Sequence, residues 1–369
     1  MISKNDPPAI LPKQREFTPE SLKAYLRQLP KIELHAHLNG CIRESTLLQL
    51  ATQRNVTLSS LLHDLQEETH FSGEEKCSES AEDKINKKRR SLLECFDIFV
   101  EIGKCVTDLE ALRRIAEEAL EDFAKEGVAY LELRSTPKIL LNVMGGRECT
   151  KREYVETVLN VMQKFEEKEL KRYERDVNAG KEGGVRLPMK SRYIVSINRA
   201  DSVEVAMEHA KLAIELVDEG NKYVVGLDLS GNPLSNTFKD LEPSFALAKN
   251  AGLKTSIHCG EIPCQATLGE KSTTVEFGHQ EITDILAFQP DRLGHALLLT
   301  DAMFEELERL PNKIPIECCP TSNVMTLELA THYEGDLVHG LRRHPRLGTW
   351  LDGDYPISIS TDDPGIFNT

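Results

Sequence analysis

The chain has 369 residues, of which 28% are charged and 40% are hydrophobic, and its net charge at neutral pH is −15. Such a length and apolar fraction suit one large α/β barrel with insertions. The negative charge argues against a nucleic-acid polymer as partner, although a small anion can still bind in a local positive pocket. No apolar run reaches the length of a transmembrane helix, so we expect no membrane partner.

Nine cysteines are scattered irregularly along the chain, and no Cys-x-x-Cys motif occurs among them. This usage is typical of free thiols in a reducing cytoplasm rather than of disulfides or of a cysteine zinc site. The segment Met1–Pro12 contains three prolines and no apolar stretch, so it does not have the pattern of a secretory signal. We therefore expect a cytoplasmic protein whose residues 1–17 form a disordered lead.

Residues 18–369 alternate between amphipathic helical patterns and short apolar runs. Helices are predicted at about 19–29, 43–53, 91–103, 109–125, 151–172, 203–217, 240–250, 281–288 and 302–309. Strands are predicted at Lys31–His35, Val128–Arg134, Arg192–Ile197, Tyr223–Leu229, Leu253–His258, Arg292–His295, Ile314–Cys318 and Ile357–Ser360. The alternation predicts one (β/α)8 TIM-type barrel domain. A doubly wound sheet is the alternative, but it requires a glycine-rich loop after the first strand, which the sequence lacks there.

Three polar segments interrupt this pattern, at about 63–90, 173–190 and 264–279. Their composition predicts insertions or mobile loops on the surface of the barrel. His70 and Cys77 lie in the first insertion. Two isolated residues of these types in a polar loop are more often solvated on the surface than part of a metal site. No helix pattern follows the eighth predicted strand, so we expect a barrel that lacks its last covering helix, as a truncated chain would.

His35 and His37 lie one residue apart on the first predicted strand. Alternate side chains of a strand project to the same face, so both imidazoles aim at one point, where a divalent metal can bind. An isolated His-x-His motif is at least as often a pair of core or surface histidines. The interpretation as a metal site therefore depends on partners supplied by other strands.

Such partners follow several other predicted strands. Function in a barrel of this type lies at the carboxyl ends of the strands. The polar residues found there are His35, His37, His258, Glu261, His295, Asp362 and Asp363. Three histidines and a carboxylate can form one open zinc site with a water. We therefore expect one Zn²⁺ per chain.

These motifs resemble the adenosine/AMP deaminase family of metal-dependent amidohydrolases, over almost the whole chain from about residue 20. The resemblance rests on His-Ala-His-Leu-Asn-Gly at 35–40, His-Cys-Gly-Glu at 258–261, Gly-His at 294–295 and Thr-Asp-Asp-Pro at 361–364. Cys-Pro-Thr-Ser-Asn at 319–323 fits the wider family. Residues 131–138 and 226–233 resemble the adenosine deaminase-like branch, the N6-methyl-AMP deaminases.

The resemblance implies roles for individual residues. The zinc ligands would be His35, His37, His258 and Asp362. Glu261 would protonate the purine ring at N1, and His295 would orient or deprotonate the zinc-bound water. Asp363 would hydrogen-bond purine N7, while His37 and the backbone of Gly231 would also contact the substrate. Attack at C6 would then release ammonia or methylamine and leave a 6-oxo purine.

Asn39 distinguishes a nucleotide from a nucleoside substrate. The nucleoside-specific deaminases resemble this motif but carry Asp at this position, close to the ribose 5′-hydroxyl. Two unit charges about 4 Å apart repel by roughly 4 kcal/mol at an effective dielectric of 20, so Asp would disfavour a 5′-phosphate. Asn removes this penalty and can donate a hydrogen bond. The alternative is that Asn39 only caps a turn.

The second predicted strand ends in residues that can hold the phosphate. Lys138 would supply the positive charge, with Ser135, Thr136 and Pro137 beside it; alternatively, Lys138 is simply solvated. The chain departs from the branch at two positions, since Gly103 stands where the branch tends to have His and Asn198 where it tends to have Asp. Both positions are expected near the sugar or the phosphate.

The function predicted in this way is zinc-dependent hydrolysis of N6-methyl-AMP to IMP and methylamine. Adenosine deaminase, which converts adenosine to inosine and ammonia, is the close alternative. An inactive truncated chain or a non-catalytic binding protein is the alternative from another class. The expected partner is a small-molecule purine nucleotide or nucleoside, and the expected oligomeric state is a monomer.

Overall fold

Eight parallel strands form the centre of the molecule. The computed structural model describes residues 18–58, 92–180, 185–261, 273–327 and 337–367. The sheet contains, in spatial order, β1 (Lys31–His37), β2 (Val128–Ser135), β5 (Lys190–Asn198), β6 (Val224–Ser230), β7 (Lys254–Cys259), β8 (Arg292–His295), β9 (Ile316–Cys318) and β10 (Ile357–Ile359). Each strand lies within two residues of its predicted bounds at either end. The prediction of a (β/α)8 barrel is therefore confirmed.

The barrel closes between β1 and the residues that follow β10. Ala36 and Asp362 form a parallel bridge. The N–H of Asp362 donates to the carbonyl oxygen of His35 at 2.9 Å, and the N–H of His37 donates to the carbonyl oxygen of Asp362 at 3.2 Å. The closing seam thus consists of residues that the sequence predicts as metal ligands.

Helices cover the outside of the sheet. They are α1 (Pro19–Gln28), α2 (Glu44–Arg54), α3 (Leu92–Cys105), α4 (Leu109–Lys125), α5 (Lys151–Asn178), α6 (Val203–Asp218), α7 (Phe238–Asn250), α8 (Thr273–Phe288), α9 (Asp301–Arg309), α10 (Pro320–Thr326), α11 (Leu337–Leu341), α12 (Leu347–Asp352) and α13 (Pro364–Phe367). In α4 the side chain of Asp108 caps the first turn, and Leu112, Ile115 and Ala119 lie on its buried stripe. This spacing of three and four residues is the helical period that the sequence shows.

Two helices extend into segments predicted as insertions. Helix α5 continues to Asn178, six residues beyond the predicted end at Arg172. Arg172 pairs along the helix with Glu169 at 3.1 Å and with Asp176 at 3.3 Å. The polar composition of this stretch therefore reflects ion pairs on a helix rather than a loop. Helix α8 begins at Thr273, inside the predicted insertion at 264–279.

Several short elements were not predicted from the sequence. Strands β3 (Leu141–Asn142) and β4 (Arg147–Glu148) form a small antiparallel hairpin after β2. Helices α10 to α13 follow β9 and β10, and each has seven residues or fewer. Segments this short carry too little periodicity to be recognised. The predicted lead at 1–17 and the insertion with His70 and Cys77 lie outside the described residues.

The described helices include none that is long and apolar enough to cross a lipid bilayer. The seven cysteines in the same part of the chain are buried, and none of them forms a disulfide.

Candidate active site

Four predicted metal ligands converge at the carboxyl end of the barrel. His35 and His37 lie on β1, His258 lies on β7, and Asp362 follows β10. Nε2 of His37 is 3.1 Å from Nε2 of His258 and 3.4 Å from Nε2 of His35. Oδ1 of Asp362 is 3.5 Å from Nε2 of His37 and 3.6 Å from Nε2 of His35.

This spacing fits a single bound metal ion. Ligand atoms held at about 2.0–2.1 Å around a tetrahedral zinc ion lie about 3.4 Å from one another. Four of the separations between these side chains, those of His37 from His35 and His258 and those of Asp362 from His35 and His37, run from 3.1 to 3.6 Å. Zinc accepts imidazole nitrogens and a carboxylate oxygen as ligands, and with four protein ligands in place a fifth position is left for water. The donor set therefore fits the predicted Zn²⁺.

Buried carboxylates orient two of the histidines through Nδ1, the ring nitrogen opposite the one that faces the other predicted ligands. Nδ1 of His35 is 2.7 Å from Oε2 of Glu317, and Nδ1 of His258 is 3.0 Å from Oδ1 of Asp228. A carboxylate at Nδ1 keeps the proton on that nitrogen and leaves the Nε2 lone pair for a metal. The hydroxyl of Ser322 also donates to Oδ2 of Asp362 at 2.7 Å, which fixes the fourth ligand.

One arginine joins these two carboxylates. Arg134 has no exposed surface, and it donates to Asp228 at 2.8 Å and to Glu317 at 2.8 Å. The sequence analysis did not single out Arg134, Asp228 or Glu317. A signal exists for Asp228 and Glu317, because each is a charged residue between apolar neighbours on its strand, where an unpaired charge would be very costly.

The electrostatics of the pocket favour metal binding by the histidines. Burial, reinforced by Arg134 and His258, holds the pKa of His35 well below its usual value. Burial and the same neighbours lower the pKa of His37. Burial alone would raise the pKa of Asp228, but Arg134 beside it brings that pKa well below its usual range. Asp228 acts in the opposite direction on His258, whose pKa it raises against the effect of burial. His35 and His37 are thus held neutral and Asp228 is held charged, which are the protonation states that suit metal binding.

Glu261 and His295 lie beside the ligand cluster. Glu261 is two residues beyond β7, and its Oε1 is 3.5 Å from Nε2 of His295. The same Nε2 is 4.0 Å from Oδ2 of Asp362. Burial lowers the pKa of His295 to about 4, against an opposing effect of Glu261. The two predicted catalytic groups therefore face the same space as the metal ligands.

The backbone around His295 is unusual. His295 has φ +58° and Ala296 has φ +47°, in the left-handed region that side-chain-bearing residues rarely adopt. At the preceding Gly294, a Cβ would lie 2.9 Å from Cε1 of His35, so only glycine allows the His35 ring to pack there. Strained backbone of this kind is characteristic of functional sites.

The cluster of predicted metal ligands opens into a cavity of about 150 Å³. Its lining includes the predicted substrate-binding residues His37, Asn39, Ser135, Thr136, Lys138, Asn198, Gly231 and Asp363. Pro137 is not part of this lining, and neither is Gly103, which is exposed on α3. The cavity is therefore lined by all of the predicted substrate-binding residues except Pro137, and their contacts with a substrate stay predictions.

Two close approaches shape the cavity wall. A Cβ on Gly40 would lie 1.7 Å from Oδ1 of Asp363, so the turn after β1 must carry glycine there. Gly231 has φ +94°, and a Cβ on it would lie 2.6 Å from Oδ1 of Asn198. The backbone of residue 231 and the Asn198 side chain thus occupy one edge of the cavity together.

An apolar wall completes the cavity, and the sequence analysis did not predict it. Helix α3 contributes Leu92, Cys95, Phe96 and Phe99, and α13 contributes Phe367. The sequence predicts α3 as an amphipathic helix, but periodicity cannot distinguish a face that packs in the core from one that lines a cavity.

Comparison with known proteins places this geometry in a family. The family model described as adenosine deaminase matches residues 30–369. The N6-mAMP deaminase of Arabidopsis thaliana is 35% identical over 94% of this chain and 84% of its own length. The N6-methyl-AMP deaminase of Homo sapiens is 32% identical over 94% of this chain and 81% of its own length.

Solved structures give the same result. The crystal structure of the Arabidopsis N6-mAMP deaminase aligns with a TM-score of 0.65 at 34% identity, over 94% of this chain and 85% of that one. An Arabidopsis relative in complex with IMP aligns with a TM-score of 0.67 at 34% identity, over 94% of this chain and 84% of that one. By its sequence and its fold, the chain is a member of the adenosine deaminase family.

Proposed function

We propose that this protein is a zinc-dependent hydrolytic deaminase that converts N6-methyl-AMP to IMP and methylamine. The observation that carries the proposal is the convergence of His35, His37, His258 and Asp362 at ligand spacing, beside Glu261. Relatives named N6-methyl-AMP deaminase, which are 31–35% identical across most of the chain, support this substrate.

The metal would be held by these three histidines and Asp362. When bound, Zn²⁺ lowers the pKa of a water ligand from about 15.7 to about 7, which supplies a nucleophile at neutral pH. Asp228 and Glu317 would keep His258 and His35 in the correct orientation through their Nδ1 atoms. Removal of such outer hydrogen bonds typically costs about 10- to 100-fold in metal affinity or activity.

Glu261 and His295 would carry the proton chemistry and the orientation of the water. Glu261 donates a proton to purine N1, which makes C6 electrophilic towards the attacking water. His295, whose Nε2 is 3.5 Å from Glu261, orients or deprotonates that water. Asp363 hydrogen-bonds N7, and the Gly231 backbone contacts the purine edge. Acid–base assistance of this type contributes about 10²–10⁴-fold to the rate.

The cavity favours a nucleotide over a nucleoside. Asn39 lines it as a neutral amide, so no carboxylate at this position repels a 5′-phosphate. Two cations, Arg134 and Lys138, belong to the described lining. Arg134 is engaged by Asp228 and Glu317, which leaves Lys138 as the lining cation that can face the phosphate. Structures of relatives with bound IMP and GMP support a nucleotide ligand.

We further infer a monomeric enzyme in the cytoplasm. The buried cysteines of the described residues form no disulfide, which suits a reducing compartment. Light scattering of the purified protein tests the first inference, because a monomer has a mass of 41.5 kDa. Fluorescence microscopy of a tagged protein in its own cells tests the second.

A substrate panel tests the proposed function. The zinc-loaded protein is assayed with N6-methyl-AMP, AMP, N6-methyladenosine and adenosine, and the His258→Ala variant serves as the inactive control. We expect the highest kcat/KM with N6-methyl-AMP. A higher kcat/KM with adenosine would instead assign the adenosine deaminase reaction, and no turnover with one bound zinc per chain would favour a binding protein.

A further inference from the structure

A chain of hydrogen bonds leads from the backbone to His295. It starts at His344, a buried residue between α11 and α12 whose Nδ1 lies 3.3 Å from the N–H of Arg346 and 3.0 Å from the N–H of Leu347. A backbone N–H can only donate, so Nδ1 of His344 must carry the lone pair. The proton of the neutral ring is therefore on Nε2. Burial lowers the pKa of His344 to about 4, which agrees with a neutral ring.

The next bond fixes the orientation of an amide. Nε2 of His344 lies 3.2 Å from Oδ1 of Asn323, to which it donates. The opposite side of the amide, Nδ2, then faces Nδ1 of His295 at 3.1 Å. The reverse orientation of Asn323 would place two donors against each other at His344. The amide direction thus follows from the backbone donors at Arg346 and Leu347 and not from the appearance of the side chain.

The last bond determines the tautomer of His295. The NH₂ group of Asn323 can only donate, so Nδ1 of His295 must accept. The neutral ring then carries its proton on Nε2, the nitrogen that faces Glu261 at 3.5 Å and Asp362 at 4.0 Å. His295, Asn323 and His344 are all buried, so little water competes for these bonds.

We propose that Asn323 and His344 are positioning residues that hold His295 as its Nε2–H tautomer. His295 then donates a hydrogen bond to the attacking water and does not take its proton. The role of His295 towards water rests on the proposed function. Within that function, the Nε2–H tautomer makes His295 a group that orients the water and not the base that deprotonates it. The carboxylate of Asp362, whose Oδ2 lies 4.0 Å from Nε2 of His295, remains to accept the proton of the water, because Glu261 is the acid that protonates purine N1.

Asn323 ends the Cys-Pro-Thr-Ser-Asn motif at 319–323, to which the resemblance assigns no role, and His344 lies in none of the motifs quoted above. Asn323 lies on α10, directly after β9, and is 2% exposed. His344 packs with its ring edge towards Trp350, at 6.3 Å between ring centroids. Three segments that are separate in the sequence, around residues 295, 323 and 344, therefore cooperate to fix one proton.

The experiment reads the tautomer directly. Zinc-loaded protein labelled with ¹⁵N-histidine is examined by long-range ¹H–¹⁵N correlation spectra, and His295 and His344 are assigned from the His295→Gln and His344→Gln variants. We expect both rings protonated on Nε2 only. In Asn323→Asp a carboxylate, which can only accept, replaces the donor, so His295 should move its proton to Nδ1.

The kinetic readout separates this role from a structural one. We expect Asn323→Asp to keep its zinc and its KM but to lose about 10²–10⁴-fold in kcat, the range of general acid–base losses and of a wrong histidine tautomer. Asn250→Asp, the same change on the exposed end of α7, is the control and should match the wild type.

Two results would overturn the proposal. One is a wild-type His295 protonated on Nδ1; the other is an Asn323→Asp variant with a moved proton and an unchanged kcat. If Asn323→Asp does not fold, the wild-type spectrum still decides the tautomer. If the wild type deaminates no purine, the proposed function is wrong. The spectrum of His295 still tests the hydrogen-bond chain in that case, so a failure of the function can be distinguished from a failure of the tautomer assignment.

Discussion

Asp362 contacts His35 at two places, through its backbone N–H and through its side-chain carboxylate. Its N–H donates to the His35 carbonyl oxygen at 2.9 Å, and its Oδ1 lies 3.6 Å from Nε2 of the same residue. Asp362 also has φ +65°, in the left-handed region. The contact that closes the barrel and the contact that would hold the metal are therefore made by the same two residues.

Metal removal should destabilise the fold through this shared seam. A ligand that binds only the native state at 1,000 times its Kd adds about 4 kcal/mol of stability. We expect a chelator to lower Tm by several degrees and added Zn²⁺ to restore it. Thermal melts of the wild type and of His258→Ala provide the measurement, because the variant should respond to neither treatment. Equal Tm values for the metal-free and zinc-loaded wild type would contradict the assignment.

Arg134→Met should lower both stability and zinc affinity. The substitution leaves Asp228 and Glu317 as buried carboxylates without their shared cation, and breaking a buried pair of this kind costs about 3–5 kcal/mol. Misorientation of His258 and His35 should weaken zinc binding by about 10- to 100-fold. Urea unfolding and zinc titration measure the two effects. A variant that unfolds at a lower urea concentration than the wild type but binds zinc with the same affinity would limit Arg134 to a structural role.

Glu261→Gln should retain zinc and lose activity. The amide has the shape of the carboxyl group but cannot deliver a proton to N1, so we expect kcat to fall about 10²-fold or more. The comparison needs the zinc content and kcat of the variant beside those of Glu305→Gln, an exposed change on α9 that should have no effect. An unchanged kcat would remove Glu261 from the role of the acid.

Asn39→Asp should shift preference from nucleotide to nucleoside. A carboxylate in the cavity would face the phosphate, at a cost on the order of several kcal/mol that water and salt reduce. The measured quantity is the ratio of kcat/KM for N6-methyl-AMP to that for N6-methyladenosine. The exposed substitution Asn160→Asp is the charge-matched control. If the ratio is the same in both variants, Asn39 does not lie near the phosphate.

Much of the fold and the centre of the site could be predicted from the sequence. His35 and His37 were predictable because the two-residue period of a strand fixes where both rings point. The strands themselves were predictable because short apolar runs that alternate with amphipathic helices pack as the buried parallel strands of an α/β fold. His258, Asp362 and Glu261 follow other predicted strands, and the family resemblance supplied their individual roles; the structure brings them close to His35 and His37.

The rest depends on contacts between distant parts of the chain. Arg134 joins Asp228 to Glu317 across three strands, and no local pattern specifies such a partner. The bonds from His344 to Asn323 also connect two segments that carry no detectable periodicity. Only the folded barrel determines these distances, which is why the supporting residues of the site were missing from the sequence prediction.

The central claim is that the zinc-loaded protein removes the alkylamino group from a purine nucleotide. The most direct measurement is the quantity of methylamine released for each IMP formed from N6-methyl-AMP. Hydrolysis at C6 predicts one methylamine per IMP, with the methyl group retained on nitrogen and no release from His258→Ala. IMP without methylamine, or no product from protein that holds one zinc per chain, would contradict the claim.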